Sequence, residues 1–401
     1  MKSIRFSIAC HESDTDMTGM YQRLTENTMR QLNTALHIEE ITWNKLWRFV
    51  QAKAMSRSSL DMSEVGTTWL KSLADADVLK TIPADFLYKI GAERWLSDAA
   101  WRSIQHITPT AVLFWPFMQD VRVIYYRRDN LEAAGIKEAD AFSSIPSIRE
   151  TIEKLHASGL PGWGATSFHG INTLYEISSW VWATGKDYMS KDGKQTSICD
   201  SDVQNAMSAY FELAQFMDHP YESYVDLARA FRQNKVSVMM DGPWMWSDMI
   251  SHRYENLDLK KIGVSKPPGP PFLGGSTLVV WKYADETIVN EAFNLMAFLT
   301  SPEPQNALFK KKGLLPVNRE LLSRAPFISD PNLRAMVDAM SRGRYLPTWP
   351  IWGPLEDSLV RVLGLVWESL KCNGLQMKPE LLSRHFDPLA TRFDKMIEMF
   401  C

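Results

Sequence analysis

Two tryptophans, Trp244 and Trp246, stand in the stretch 231–249, FRQNKVSVMMDGPWMWSDM. This stretch reads as a helix end (231–234), a short apolar strand (236–240) and then Gly242-Pro243-Trp244. Proline suits the first turn of a helix, so the chain is expected to turn from strand into helix at Gly242. The indoles then lie near the carboxyl end of a buried strand, the edge where open α/β sheets gather ligands. A flat aromatic there offers a stacking face and one N–H donor. Core packing is the competing reading, because tryptophan is largely buried in most folds.

Other segments carry polar groups at similar places. His11-Glu12-Ser13-Asp14 follows the first strand directly and holds two acids, an imidazole and a hydroxyl. Acid–base work is conceivable there, but a polar hydrogen-bonding loop accounts for it more simply. Gly66-Thr67-Thr68 follows the third strand and can offer backbone N–H groups to hydroxyls or an anion; the N-cap of the next helix is an equal reading of one threonine. Gly274-Gly275-Ser276 permits close approach of a ligand to backbone, or a tight turn. Trp349-Pro350-Ile351-Trp352 places two indoles on a proline-stiffened loop, which suits a cleft better than a core. Asp120 follows a turn (115–119) at a strand edge and is expected to accept hydrogen bonds from ligand hydroxyls, with capping of its own turn as the alternative.

Catalytic sets are missing. There is no G-x-S-x-G, P-loop, H-E-x-x-H or dinucleotide fingerprint. Gly159 to Gly164 is glycine-rich but precedes a strand, so it reads as a loop. Cys10, Cys199, Cys372 and Cys401 form no CxxC, and no His pair has zinc-ligand spacing. No catalytic residue, metal or cofactor is expected. A single Cys372–Cys401 bridge is conceivable, and a disulfide framework is not expected.

The elements that must position these residues alternate along the chain. Strand 3–9, helix 21–36, strand 38–42, helix 43–55 and strand 60–65 make a βαβαβ pattern, so a parallel sheet flanked by helices is expected. Extended runs at 111–117 and 121–127 follow, separated by Met118-Gln119-Asp120. A second alternation runs from about 147 to 263, with a helix, strand 163–168, a helix from Asn172, helix 201–217 and the strand before Gly242. Pro267-Pro268-Gly269-Pro270-Pro271 breaks the pattern and suits a stiff connection. One strand (277–282) and five helices complete the chain.

Composition sets the limits. A chain of 401 residues exceeds one compact core, so two lobes are expected. Net charge is −3 from 44 basic and 47 acidic residues with no long run of one sign, which excludes nucleic acid as an expected partner. No apolar run approaches the roughly 18 residues a transmembrane helix needs. Fifteen Trp and 12 Tyr suit a protein handling ring-shaped solutes, or simply a large core.

Taken in order, five segments resemble the extracellular solute-binding proteins of ABC importers, in the sugar-binding group related to maltose-binding protein. Residues 120–135 (DVRVIYYRRDNLEAAG) look like that family's Asp, paired-Tyr, basic-Asp and Ala-Gly signature. Residues 182–193 (WATGKDYMSKDG) are similar to its Trp, Gly and Asp-Gly hairpin, and 231–244 to its Gly-Pro-Trp segment, with Asn234-Lys235 where the family has Gly-Lys. Residues 267–316 resemble a crossover with a Pro-Gly-Pro run, Gly-Gly-Ser, Leu-Thr-Ser-Pro-Glu and Leu-Leu-Pro, and 343–356 the late Pro-Trp loop.

The resemblance implies an α/β, two-lobe periplasmic-binding-protein-like fold of class II type, with a hinge and an interlobe cleft. The lobes expected are 1–115 with 270–325, and 116–269 with 326–401. It implies capture of a mono- to oligosaccharide in the cleft by a monomer, and delivery to the transmembrane permease subunits of an ABC transporter. It also implies a periplasmic or extracellular location, although no leader precedes the first strand. The expected ligand-binding set is His11, Glu12, Asp14, Gly66, Thr67, Thr68, Trp115, Gln119, Asp120, Trp180, Trp182, Trp244, Gly274, Gly275, Ser276, Trp349 and Trp352. Within it, the resemblance puts a ligand-stacking aromatic at Trp244, while Trp246 is expected to pack. Two alternatives stand beside this reading. One is a binding protein for a non-sugar or anionic solute, favoured if Arg122 faces the ligand. The other is a carbohydrate-active enzyme, which would need two carboxylates about 5–10 Å apart across the sugar.

Overall fold

The structure is a computed structural model that describes residues 2–11, 14, 16–56, 60–167, 170–250, 257–349, 351–378 and 380–400. The chain divides into two compact units, Met1–Asp120 with Gly274–Leu333, and Val121–Leu273 with Arg334–Cys401.

The first unit grows from alternation. In KSIRFSIAC, Ile4, Phe6 and Ile8 fall on one side and are fully buried, giving strand β1 (Lys2–Cys10). Strand β2 (Thr34–Thr42) pairs with it in parallel from Lys2↔Thr34 to Cys10↔Thr42, and β3 (Met62–Gly66) pairs in parallel on its other side. Strands β4 (Trp115–Val121), β9 (Leu273–Val280) and β10 (Leu315–Pro316) complete a six-stranded sheet in the order β10-β4-β9-β3-β1-β2. Strand β9 runs antiparallel to β3, with Gly66 opposite Ser276.

The second unit holds β5 (Val123–Arg127), β6 (Trp163–Gly164), β7 (Val238–Asp241) and β8 (Ile262–Ser265) in the order β6-β7-β5-β8. Helices pack around it, and their starts are capped. Ser144 and Ser147 form a reciprocal capping box ahead of Ile145–Ala157, while Asp200 and Ser223 cap Ser201–Glu212 and Tyr224–Arg232.

Several boundaries differ from the sequence expectation. The helix expected over 21–36 is Met17–Gln31. Asn33 takes a left-handed conformation (φ 48°) that ends it, and Ala35 and Leu36 pair with β1 instead. Met118-Gln119-Asp120 is strand rather than a connection: it contains no glycine or proline, and its ladder continues against β10 (Leu315↔Gln119). Gly274-Gly275-Ser276 lies inside β9 rather than in a turn. A Cβ at Gly275 (φ 119°) would sit 2.1 Å from the Met118 carbonyl oxygen, so the glycine permits two backbones to touch. Strand β8 was not anticipated, because four residues beside a proline run carry little pattern. Cys10, Cys199 and Cys372 are free thiols, and Cys401 lies outside the described residues. Among the described residues no helix is long and apolar enough to cross a membrane.

Candidate functional site

The sheet of the first unit brings several expected residues to one edge. The parallel pairing of β1 and β3 places their carboxyl ends side by side, with His11 and Asp14 after one and Gly66, Thr67 and Thr68 after the other. The register Gly66↔Ser276 adds β9, and the contact of Gly275 with Met118, Gln119 and Asp120 adds β4. At this edge the His11 N–H donates to Asp14 Oδ2 at 2.7 Å, so the two residues form a self-bonded turn. Glu12 lies outside the described residues. Thr67, Gln119, Asp120 and Ser276 are buried, and Ser97 Oγ donates to Gln119 Oε1. Ser276 Oγ is buried and has no hydrogen-bond partner among the described residues.

A tryptophan cluster beside this edge escaped the sequence reading. Trp47 stacks on Trp69 with ring centroids 5.2 Å apart, and Trp43 lies 6.2 Å from Trp69. All three are partly exposed. Trp43 and Trp47 share a face of the helix Trp43–Ser56 through their i, i+4 spacing. Trp69 ends the turn that Gly66-Thr67-Thr68 begins. That spacing is the signal the sequence carries, and it is equally the pattern of a plain helix.

In the second unit, Gly242-Pro243 turns the chain out of β7 as expected from their types, into the helix Trp244–Ile250. Trp244 is partly exposed, whereas Trp246 is 3% exposed. Gly242 leaves room for the ring where it stands: a Cβ would come 2.2 Å from the Trp244 ring and displace it. Tyr125 Oη fixes the turn by donating to the Gly242 carbonyl at 2.8 Å. The Arg122 guanidinium lies 4.7 Å over the Trp244 ring and 5.3 Å over the Tyr175 ring, and its Nη2 donates to Asn172 Oδ1 at 3.0 Å. Tyr175 in turn stacks on Phe272 at 3.8 Å.

Four expected binding residues are instead packed. Trp115 is 1% exposed and donates its Nε1–H to Thr300 Oγ1. Trp180 is enclosed edge-on by Trp163 and Tyr210. Trp182 donates to Asp187 Oδ1 and carries Arg344 over its ring, with Arg344 paired to Asp187. Trp352 donates to Glu356 Oε2 at 2.6 Å. Each indole has its hydrogen bond or apolar shell inside its own unit, which leaves little face for a solute. Trp349 differs, being 38% exposed and lying against Gly193; Pro350 is outside the described residues.

Glu176 follows Tyr175 in the chain, is buried and accepts from Tyr210 Oη at 2.6 Å and Tyr224 Oη at 3.3 Å. Burial pushes its carboxyl up to about 7, against the opposing pull of Tyr210, the Arg122 charge and Tyr224. Burial likewise raises Glu356 to about 8, opposed by its bond from Trp352. Each folded pKa lies above the ordinary 4.5, so the stabilisation from the neutral form is complete below about pH 4.5. It is lost as pH rises through about 7 for Glu176 and about 8 for Glu356. Urea denaturation from pH 4.5 to 8.5 is therefore expected to show falling stability, with a shallower fall in Glu176→Gln. An unaltered slope in that variant would assign the titration elsewhere.

A family model described as bacterial extracellular solute-binding protein matches residues 22–335. This chain belongs to that family of binding proteins. Solved structures share the fold of this solute-binding protein over nearly the whole chain. The sugar-binding protein MalE of Xanthomonas citri is 16% identical with a TM-score of 0.80, covering 99% of this chain and 98% of its own. A solute-binding protein of an ABC transporter from Thermotoga lettingae TMO, bound with α-D-tagatose, is 14% identical with a TM-score of 0.79, covering 99% and 100%. UgpB of Mycobacterium tuberculosis, in complex with glycerophosphocholine, is 16% identical with a TM-score of 0.77, covering 99% and 100%.

Proposed function

We propose that this solute-binding protein captures a carbohydrate, a mono- to oligosaccharide, and delivers it to the transmembrane permease subunits of an ABC transporter. In this reading it works as a monomer in the periplasm or outside the cell, and no bond of the solute is made or broken. The observation that carries it is Trp244: a large indole left partly exposed at the carboxyl end of β7, with its ring against Gly242 and under the Arg122 guanidinium. Exposed aromatic faces stack on the apolar faces of sugars, whose hydroxyls pair with polar side chains and backbone N–H groups. The sugar and tagatose ligands of structurally similar proteins support the same class. At about 0.3 kcal/mol per heavy atom, a disaccharide reaches roughly −7 kcal/mol, near micromolar affinity.

A second reading is favoured by the glycerophosphocholine complex of UgpB: the solute is a polyol or sugar carrying an anionic group. A thermal-shift screen of neutral sugars, sugar acids and phosphorylated polyols tests both. A ligand at 100 times its dissociation constant adds about 2.7 kcal/mol of stability. Stabilisation by a neutral sugar supports the first reading. Stabilisation by anions alone, lost in moderate salt, supports the second, and a silent panel overturns both.

A further inference from the structure

Arg122 is held inside the second unit, through both its backbone and its guanidinium, by groups from separate segments. Its backbone N–H donates to the Phe272 carbonyl at 3.1 Å, its Nη2 donates to Asn172 Oδ1 at 3.0 Å, and its carbon lies 5.3 Å over the Tyr175 ring. Tyr175 is itself held by its 3.8 Å stack on Phe272, with ring planes only 11° apart. The same guanidinium then lies 4.7 Å over Trp244. A row of contacts therefore runs from Phe272 through Tyr175 and Arg122 to Trp244. At its far end the indole is partly exposed, while Arg122 is 3% exposed. A short seven-residue helix carries Trp244, which by itself gives a bulky side chain little rigidity.

We infer that Arg122 is the positioning residue of Trp244: its guanidinium fixes the tilt of the indole, so that the solute meets a wall already set in place. The inference rests on the reading that Trp244 takes part in solute capture. Physically, a cation over an indole face is attracted by the ring quadrupole, and more strongly where water is excluded, as it is around this buried side chain. The planar guanidinium can hold the ring and the Asn172 amide together, which a point-charged ammonium does less well. A rigid wall spares the solute the entropy of ordering that side chain on binding.

The test has two arms. The first needs no ligand: the near-ultraviolet circular dichroism of Trp244 is isolated as the difference between the parent and Trp244→Phe. It is then measured again in an Arg122→Met background. The Trp244 band is expected to collapse in Arg122→Met and to survive in part in Arg122→Lys, with far-ultraviolet spectra unchanged. The second arm is a double-mutant cycle with the carbohydrate found by thermal shift. Arg122→Met should weaken binding roughly tenfold, and the same change should have little effect once Trp244 is alanine. A Trp244 band that persists in Arg122→Met, or losses that simply multiply in the double variant, overturns the inference. Should Arg122→Met fail to fold, Asn172→Ala, which releases the guanidinium from one anchor, replaces it in both arms under the same criteria. A collapsed band together with no binding of any carbohydrate upholds the positioning role and overturns the functional reading, so the two failures are distinct.

Discussion

Trp244→Ala is expected to weaken capture of the cognate carbohydrate by about 2 kcal/mol or more, the scale of an interface hot spot. The argument begins with the tetrapeptide that ends β7. Asp241 accepts the Gly242 N–H through its own Oδ1, and Tyr125 takes the Gly242 carbonyl, so the turn is fixed from both sides. Glycine at 242 then lets the indole lie over its own backbone. What results is an indole that is partly open to water. Titration with the sugar should shift or quench indole emission in the parent and lose most of that signal in Trp244→Ala. Trp246→Ala provides the contrast: a buried indole removed from a packed position costs roughly 3–5 kcal/mol of stability, with affinity retained in the fraction that folds. Equal affinity in parent and Trp244→Ala would place this residue outside the capture site.

The first unit yields the other large effect. Glu64 on β3 and Lys312 at the end of the helix Pro302–Lys312 form an ion pair at 2.6 and 2.7 Å, with side-chain exposures of 0% and 3%. Glu64 Oε2 also accepts the Ala9 N–H of β1, and the ammonium lies 5.5 Å over the Phe117 ring. One pair thus joins two strands and a helix contributed by distant parts of the sequence. Removing one partner leaves an uncompensated buried charge, so Lys312→Met is expected to cost about 3–5 kcal/mol. Adding Glu64→Gln neutralises the orphaned carboxylate while keeping an acceptor for Ala9, and should recover most of the loss. Chemical denaturation of the three chains measures this. A double variant as unstable as Lys312→Met would show that the cost is packing rather than charge.

Local pattern made much of the fold legible. Ile4, Phe6 and Ile8 announce β1, and Gly242-Pro243 announces the passage from β7 into a helix. Where the sequence reading erred, a tertiary partner decided. Ala35 and Leu36 are compatible with the preceding helix until β1 offers them a parallel ladder. Gly274 and Gly275 read as a turn until β4 lies alongside at a distance only glycine tolerates. The candidate site divides in the same way. The glycines, threonines and acids at strand ends are recognisable by type and place. The contacts of Arg122 with Trp244, and of Trp47 with Trp69, join residues separated by helices and strands, so no spacing rule reveals them. Aromatic type alone also misled, because Trp115, Trp180, Trp182 and Trp352 have the same chemistry as Trp244 and differ only in what surrounds them.

The central claim is that this protein holds a carbohydrate without altering it. Isothermal titration with the sugar chosen by thermal shift, followed by recovery of the sugar from the saturated complex, tests that most directly. The account predicts saturable binding at one site per chain, a dissociation constant near micromolar, and a recovered sugar identical to the one added. No saturable binding by any mono- to oligosaccharide, or recovery of a cleaved or rearranged product, would contradict it.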